Sequence, residues 1–270
     1  MITKKIKINK DLRLNVFDSG IQKKYTTDLT VIFIHGGTGS LLNWKYQLDY
    51  FSEKYRTIAY DWRGCGYSDE ALSYNFDDHY DDFLKLMGIL NISNKVILVA
   101  HSYGCLIARR YLKEYGADKF VSVSLGLGSG VGLFLRFLLN LPRFLQIPIY
   151  RCCLKPKNPF LTKRFIASKK TSVAKVQEAL SDNKLPSLDF CLGLKTFRKN
   201  ESLEWMKSYQ EKMLIISGRE DKRMKPRHIR KINNLFPQVK VEIIQNAGHI
   251  VSYEKPEYFN NLIEAFIENR

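Results

Sequence analysis

Short apolar runs bounded by turn residues recur along the chain and alternate with longer stretches suited to helices. The runs are Val31–Ile34, Thr57–Tyr60, Val96–Val99, Val121–Ser124, Met213–Ile216 and Val239–Ile244. Brief apolar stretches of this kind predict strands buried on both faces. Their alternation with helices predicts βαβ units and a mainly parallel sheet, an α/β fold class. Residues 4–8 and 12–17 predict an antiparallel pair at one sheet edge. Between the runs at 121 and 213 the alternation stops, and a structureless loop of that length is implausible in a compact domain. An inserted, largely helical cap is therefore expected over 131–205, with 1–130 and 206–270 forming one discontinuous core domain.

Composition narrows the class. A hydrophobic content of 45% in 270 residues supports a single α/β domain with a modest insertion. No run reaches the roughly 18 apolar residues that a membrane-spanning helix needs. The segment Met1–Lys7 is charged with no apolar run behind it, so no secretory signal is expected and a cytoplasmic location is. Cys65, Cys105, Cys152, Cys153 and Cys191 show no disulfide framework, CxxC pair or zinc spacing. Free thiols are expected, with neither metal nor cofactor.

Five strand-end segments carry the candidate chemistry. After 96–99 comes Ala100-His101-Ser102-Tyr103-Gly104, a small-x-Ser-x-Gly turn before the helix-compatible run Cys105–Tyr115. A tight strand-to-helix turn leaves no room for large side chains two positions either side of the serine, and it lifts the hydroxyl clear of the sheet. After 31–34 comes His35-Gly36-Gly37, a turn whose backbone N–H groups can approach a substrate oxygen. The N–H groups of Gly37 and Tyr103 are the expected oxyanion hole, and His35 is expected to be structural. The ending and spacing of a phosphate loop are missing. After 57–60, Asp61–Ser68 forms a tight glycine-bearing loop that proves no chemistry by itself. After 213–216, Asp221 presents a carboxylate, and after 239–244, Asn246-Ala247-Gly248-His249 presents an imidazole.

Each segment alone has an ordinary structural explanation. Together they give the order Ser102, Asp221, His249: nucleophile, acid that orients the base, and general base. The chain resembles the α/β-hydrolase superfamily, in its abhydrolase-domain branch. The likeness rests on the His-Gly turn, the Asp-x-Arg-Gly-x-Gly-x-Ser loop, the Ser102 elbow and the Gly248-His249 pair, over about 25–128 and 210–266. It implies an eight-stranded, mostly parallel sheet with a helical cap after the sixth strand. Ala100 departs from the first elbow glycine. Pro226 falls five residues after Asp221 where four is usual, which leaves Glu220 as an alternative acid. The loop Leu125–Ser129 offers no carboxylate. A serine at 102 excludes the alkyl-ester chemistry of epoxide hydrolases and dehalogenases, which needs an aspartate there.

The net charge of +16 is unevenly spread: 131–212 holds sixteen Lys or Arg against six Asp or Glu. Its first part, Val131–Leu145, is densely apolar, which suits packing over the pocket mouth and is compatible with peripheral membrane association. Cys152-Cys153 beside Arg151 and Lys155 is a candidate acylation site. No nucleic-acid module is present. An apolar cap over an acyl-transfer site predicts a hydrophobic small-molecule substrate, a lipid ester or acyl thioester. Acyltransferase or thioesterase activity would use the same residues, and a non-catalytic ligand-binding or membrane-surface protein would keep the same fold.

Overall fold

The computed structural model describes residues 1–21, 23–92, 95–124, 141–142, 144–146, 148, 163, 166–181, 187–194 and 202–269. Most of the apolar stretch 131–145, the pair Cys152-Cys153 and the loop Leu125–Ser129 lie outside them.

Eight strands form one sheet: β1 (Thr3–Asn9), β2 (Leu12–Asp18), β3 (Thr30–Ile34), β4 (Arg56–Tyr60), β5 (Val96–His101), β6 (Lys119–Val123), β7 (Met213–Gly218) and β8 (Lys240–Ile244). Their spatial order is β1-β2-β4-β3-β5-β6-β7-β8. The pairs β1/β2 and β2/β4 are antiparallel, and every other pair is parallel. The eight-stranded, mostly parallel sheet and its antiparallel N-terminal edge are as expected from the sequence.

Alternate residues of the parallel strands feed two separate cores, the consequence of a side-chain period of two in a sheet covered on both faces. Ile32, Ile34, Leu98 and Ile215 pack beneath α2 (Phe76–Ile89), α3 (Gly104–Tyr115) and α6 (Pro226–Leu235). Val31, Phe33, Ile97, Val99, Val121 and Ile216 pack beneath α1 (Lys45–Phe51) and α8 (Pro256–Ile267). Pro226 and Pro256 stand at the first positions of α6 and α8, where a missing N–H costs nothing. Within the expected cap, the described residues form α4 (Val173–Ser181) and α5 (Leu188–Gly193). A 3-10 segment, Glu204–Lys212, leads into β7, and the short helix α7 (Val251–Glu254) follows β8.

The chain leaves β3 for β4 on one side and returns to β5 on the other. The carboxyl ends of β3 and β5 therefore flank a switch point, where open α/β sheets place their binding crevices. Ile34 pairs with Ala100 there, so the residues that follow each strand, His35 and His101-Ser102, emerge side by side.

The Asp61–Ser68 loop is scaffold. The Asp61 carboxylate accepts from the Leu41 N–H at 2.7 Å, Asn15 Nδ2 at 2.8 Å and the Tyr67 N–H at 2.9 Å. Arg63 reaches across to α2 and grips Asp82 through Nε and Nη2, both at 2.7 Å. The Asp82 side chain is only 3% exposed, so the pair is largely out of water. Truncating one partner of such a pair strands the other's charge. Arg63→Met strands the buried Asp82 carboxylate and is expected to lower stability by about 3–5 kcal/mol in urea unfolding, and the double variant Arg63→Met/Asp82→Leu to recover much of that loss.

Candidate active site

Ser102 sits between β5 and α3 with φ +50°, a left-handed conformation uncommon outside glycine and found where surrounding structure enforces it. Two contacts enforce it. The Ser102 N–H donates to the Val123 carbonyl at 2.9 Å, tying the turn to β6. A Cβ at Gly104 would lie 2.4 Å from the His35 carbonyl oxygen, so the helix start touches the β3 backbone. Ala100 is fully buried within the sheet, where its methyl group is accommodated.

His35 is buried, and both its ring nitrogens are engaged. Nδ1–H donates to the Gly36 carbonyl at 2.7 Å, Nε2 accepts from the Trp62 N–H at 3.1 Å, and the ring stacks on Trp62. Burial keeps it neutral by lowering its pKa. A Cβ at Gly36 would meet His101 Nδ1 at 2.9 Å and Ser102 Cβ at 3.2 Å. One at Gly37 would meet the Tyr103 ring and Leu194 at 3.1 Å. The Gly36-Gly37 turn and the serine elbow are therefore in direct contact.

The loops after β7 and β8 are locked together. A Cβ at Gly218 would fall 2.2 Å from the Gly248 carbonyl oxygen, and the Glu220 N–H donates to the Ala247 carbonyl at 2.9 Å. This contact brings Asp221 to His249: Nδ1–H donates to Asp221 Oδ2 at 2.9 Å. Burial alone would raise the Asp221 pKa, but the His249 hydrogen bond and charge, with the Arg223 N–H on Oδ1, outweigh it and hold the carboxyl below its ordinary value. Burial lowers the His249 pKa, the Asp221 hydrogen bond opposes this, and the charge of Arg223 adds to the lowering. The imidazole is thus neutral near pH 7, with its proton on Nδ1.

His101 precedes Ser102 in the chain and packs against His249. Its ring lies 4.7 Å from that of His249, and its Nε2–H donates to the His249 carbonyl at 2.9 Å. Burial and the neighbouring His249 push its pKa down to about 3. The remaining nitrogen of His249, Nε2, accepts from Arg223 Nη1 at 3.1 Å. Among the described residues no hydrogen bond joins Ser102 to His249. The structure therefore unites Asp221 with His249; Ser102 follows His101, whose ring lies beside that of His249, and Arg223 occupies the ring nitrogen that Asp221 leaves open.

Glu220, the alternative acid, serves elsewhere. It accepts from Ser168 Oγ at 2.7 Å and the Lys169 N–H at 2.9 Å. Glu254, buried near His249, accepts from the Gly248 N–H at 2.6 Å and the Ser168 N–H at 2.7 Å. The His249 N–H donates to the Ile166 carbonyl at 2.8 Å. The segment 166–171 is thereby clamped to both loops of the site. The sequence reading missed Arg223 and Glu254. Arg223 was hidden in a basic run, and Glu254 lies two residues before Pro256, where an ordinary helix start draws no attention to the residue ahead of it.

From the segment expected to form the cap, Ala179 reaches a small cavity of about 30 Å³ that His35, Asn43, Trp44, His101, Ile250, Ser252 and Tyr253 also line, while Leu194 packs on Gly37. Among the described residues no group of three or more His, Cys, Asp or Glu is placed to hold a metal. No helix of those residues is long and apolar enough to cross a membrane. Cys65 and Cys105 are buried free thiols.

A family model described as the alpha/beta hydrolase fold matches residues 30–256. Epoxide hydrolase 1 of Caenorhabditis elegans is 32% identical over 39% of this chain and 26% of its own length. Protein ABHD8 of Mus musculus is 24% identical over 89% of this chain and 55% of its own length. The chain thus spans about a quarter and about half of these two relatives. A Haemophilus influenzae protein provisionally named esterase/lipase is 26% identical over 91% of this chain and 86% of its own. A thermophilic esterase from Thermogutta terrifontis superposes with a TM-score of 0.80 at 17% identity, over 100% of this chain and 99% of that one. The structural likeness shows the fold.

Glu254→Ala would leave the buried Gly248 and Ser168 N–H groups without acceptors. A loss of about 2–4 kcal/mol is expected in urea unfolding, with faster hydrogen exchange at Gly248 and His249 than at the β5 amides.

Proposed function

The chain belongs to the α/β-hydrolase family, and from that premise we propose that it is a serine hydrolase cleaving a carboxylic ester through an acyl-enzyme on Ser102. One observation carries the reading: the buried Asp221–His249 hydrogen bond of 2.9 Å, at the same sheet edge as a serine held at φ +50°.

In this reading His249 Nε2 takes the proton of Ser102 Oγ as the oxygen attacks the ester carbonyl. The tetrahedral oxyanion is held by the N–H groups of Gly37 and Tyr103. Asp221 keeps the acceptor nitrogen facing the serine and stabilises the imidazolium that forms. His249 then returns the proton to the departing alkoxide, and water repeats the sequence on the acyl-enzyme. His35 and His101 are excluded as bases, since every hydrogen bond at His35 is structural and His101 is too weak a base near pH 7.

The relatives' names span epoxide and ester hydrolysis, and the serine at 102 supports the second. Epoxide opening needs a carboxylate nucleophile that forms an alkyl ester, whereas a serine forms an acyl ester. Leu194, packed on the Gly37 turn, and the apolar side chains of Trp44, Ala179 and Ile250 in the small cavity beside His101 support a hydrophobic acyl chain, and a lipid ester is the proposed substrate class.

A fluorophosphonate is expected to label the wild type at Ser102 and to leave Ser102→Ala unlabelled. Ser102→Ala should lower kcat on a medium-chain p-nitrophenyl ester by at least about 10⁴-fold. A folded wild type that neither labels nor turns over any such ester contradicts the reading. Because His249 acts as a neutral base and its pKa is held below 6.5, kcat/KM should stay flat on the acid side until below pH 6.5.

A further inference from the structure

Arg223 occupies an unusual position for a charged residue. It lies two residues after Asp221, and its own N–H donates to Asp221 Oδ1 at 2.8 Å. That turn sends its side chain back over the imidazole, where Nη1 donates to His249 Nε2 at 3.1 Å. Among the described residues no carboxylate pairs with its guanidinium. The lone pair it engages is the one a serine proton would need. While that bond lasts, Ser102 has no base.

The surroundings say what would release it. Residues 219–231 contain seven Lys or Arg, and their two carboxylates, Glu220 and Asp221, are committed to Ser168 and His249. Arg227 and Arg230 lie exposed on α6, which begins three residues after Arg223. A neutral imidazole is a weak partner for a guanidinium, and an oxyanion is a strong one that can take two N–H groups in parallel. An anion entering beside the ester therefore offers Arg223 a better bond than His249 does.

We propose that Arg223 is a specificity-determining residue that reserves this site for an ester carrying an oxyanion, carboxylate or phosphate, close to the scissile carbonyl. In the empty site its guanidinium holds His249 Nε2; the substrate's anion draws it off, and Nε2 becomes free to accept from Ser102 Oγ. No bond is made or broken in this step beyond the exchange of hydrogen bonds. The inference rests on the serine-hydrolase reading above and adds a substrate class to it. Facing His249 are Asp221 and Arg223 from the β7–α6 loop and His101 from β5, and of these only Arg223 is exposed enough to move.

The test uses two matched substrate pairs with wild type, Arg223→Met and Arg223→Lys. One pair places a carboxylate on the acyl side: mono-p-nitrophenyl glutarate against p-nitrophenyl butyrate. The other places a phosphate on the alcohol side: a 1-acylglycerol phosphate against the matching monoacylglycerol. Wild type is expected to favour the anionic member of at least one pair by about tenfold or more in kcat/KM, the scale of one charge-assisted hydrogen bond. The pair that shows the preference identifies the anion. Arg223→Met should bring that pair to near parity, lowering kcat/KM for the anionic ester and raising it for the neutral one. Arg223→Lys should retain part of the preference. Arg227→Met removes one charge from the basic helix face and should leave the preference intact. Removing the Arg223 charge should also raise the His249 pKa, so the acid limb of Arg223→Met on the neutral ester should lie at higher pH than that of wild type. If Arg223→Met changes both members of each pair by the same factor while Ser102 still labels with a fluorophosphonate, the inference is overturned and the hydrolase reading stands. If Ser102 labels in neither wild type nor Arg223→Met, the hydrolase reading falls and the inference falls with it.

Discussion

The site depends on a near-collision of backbones. A Cβ at Gly104 would stand 2.4 Å from the His35 carbonyl oxygen, and one at Gly36 would stand 3.3 Å from the His101 carbonyl oxygen. Only side chains of almost no bulk let the ends of β3 and β5 approach so closely. That approach forces the chain through φ +50° at Ser102 and holds the Gly36-Gly37 turn against the elbow. The same device recurs across the sheet, where Gly218 and Gly248 bring the β7 and β8 loops together and Asp221 meets His249. Rigid strands then fix what the loops present, so the relative positions of five side chains follow from the pairing of one sheet.

Burial sets the electrostatics of this edge. His35 and His101 are both neutral, for related reasons: desolvation removes the charged form, and structural hydrogen bonds use the ring nitrogens. Of the imidazoles of His35, His101 and His249, among the described residues, only that of His249 is hydrogen-bonded to a carboxylate. The pairing with Asp221 sets the proposed base apart from two struts of the same residue type. Glu220 shows the converse. It is next to Asp221 in sequence, yet the turn after β7 points it at Ser168 and Lys169, where it anchors the segment 166–171.

The strands and the elbow were legible because their rules are local. Buried parallel strands leave apolar runs, tight turns demand glycine, and a strand-end residue lies on a known edge. The choice of Asp221 over Glu220 was also open to the sequence, since adjacent residues in a turn point in different directions and the two could be weighed. Arg223 was not legible. In a run of seven basic residues any one of them reads as a solvated charge, and nothing in the spacing tells which side chain folds back across the imidazole. Glu254 was hidden for another reason: its partners are backbone N–H groups of Gly248 and Ser168, and backbone groups leave no mark on a sequence. The helical character expected between the sixth and seventh strands is present in Val173–Ser181 and Leu188–Gly193, two of the cap region's described stretches.

A guanidinium beside the imidazole of the proposed base opposes the proposed chemistry at first sight, because it penalises the imidazolium on which proton transfer would depend. The geometry resolves the conflict. Asp221 meets His249 at 2.9 Å with its carboxylate buried, where a charge interaction is strong. Arg223 is exposed, so water and salt screen its charge once the guanidinium leaves Nε2. The penalty is therefore confined to the contact itself and vanishes when the side chain moves, while the support from Asp221 does not move. The same positive charge that quenches the base at contact favours an oxyanion when displaced toward substrate. Position, rather than the presence of the charge, decides whether Arg223 hinders or helps.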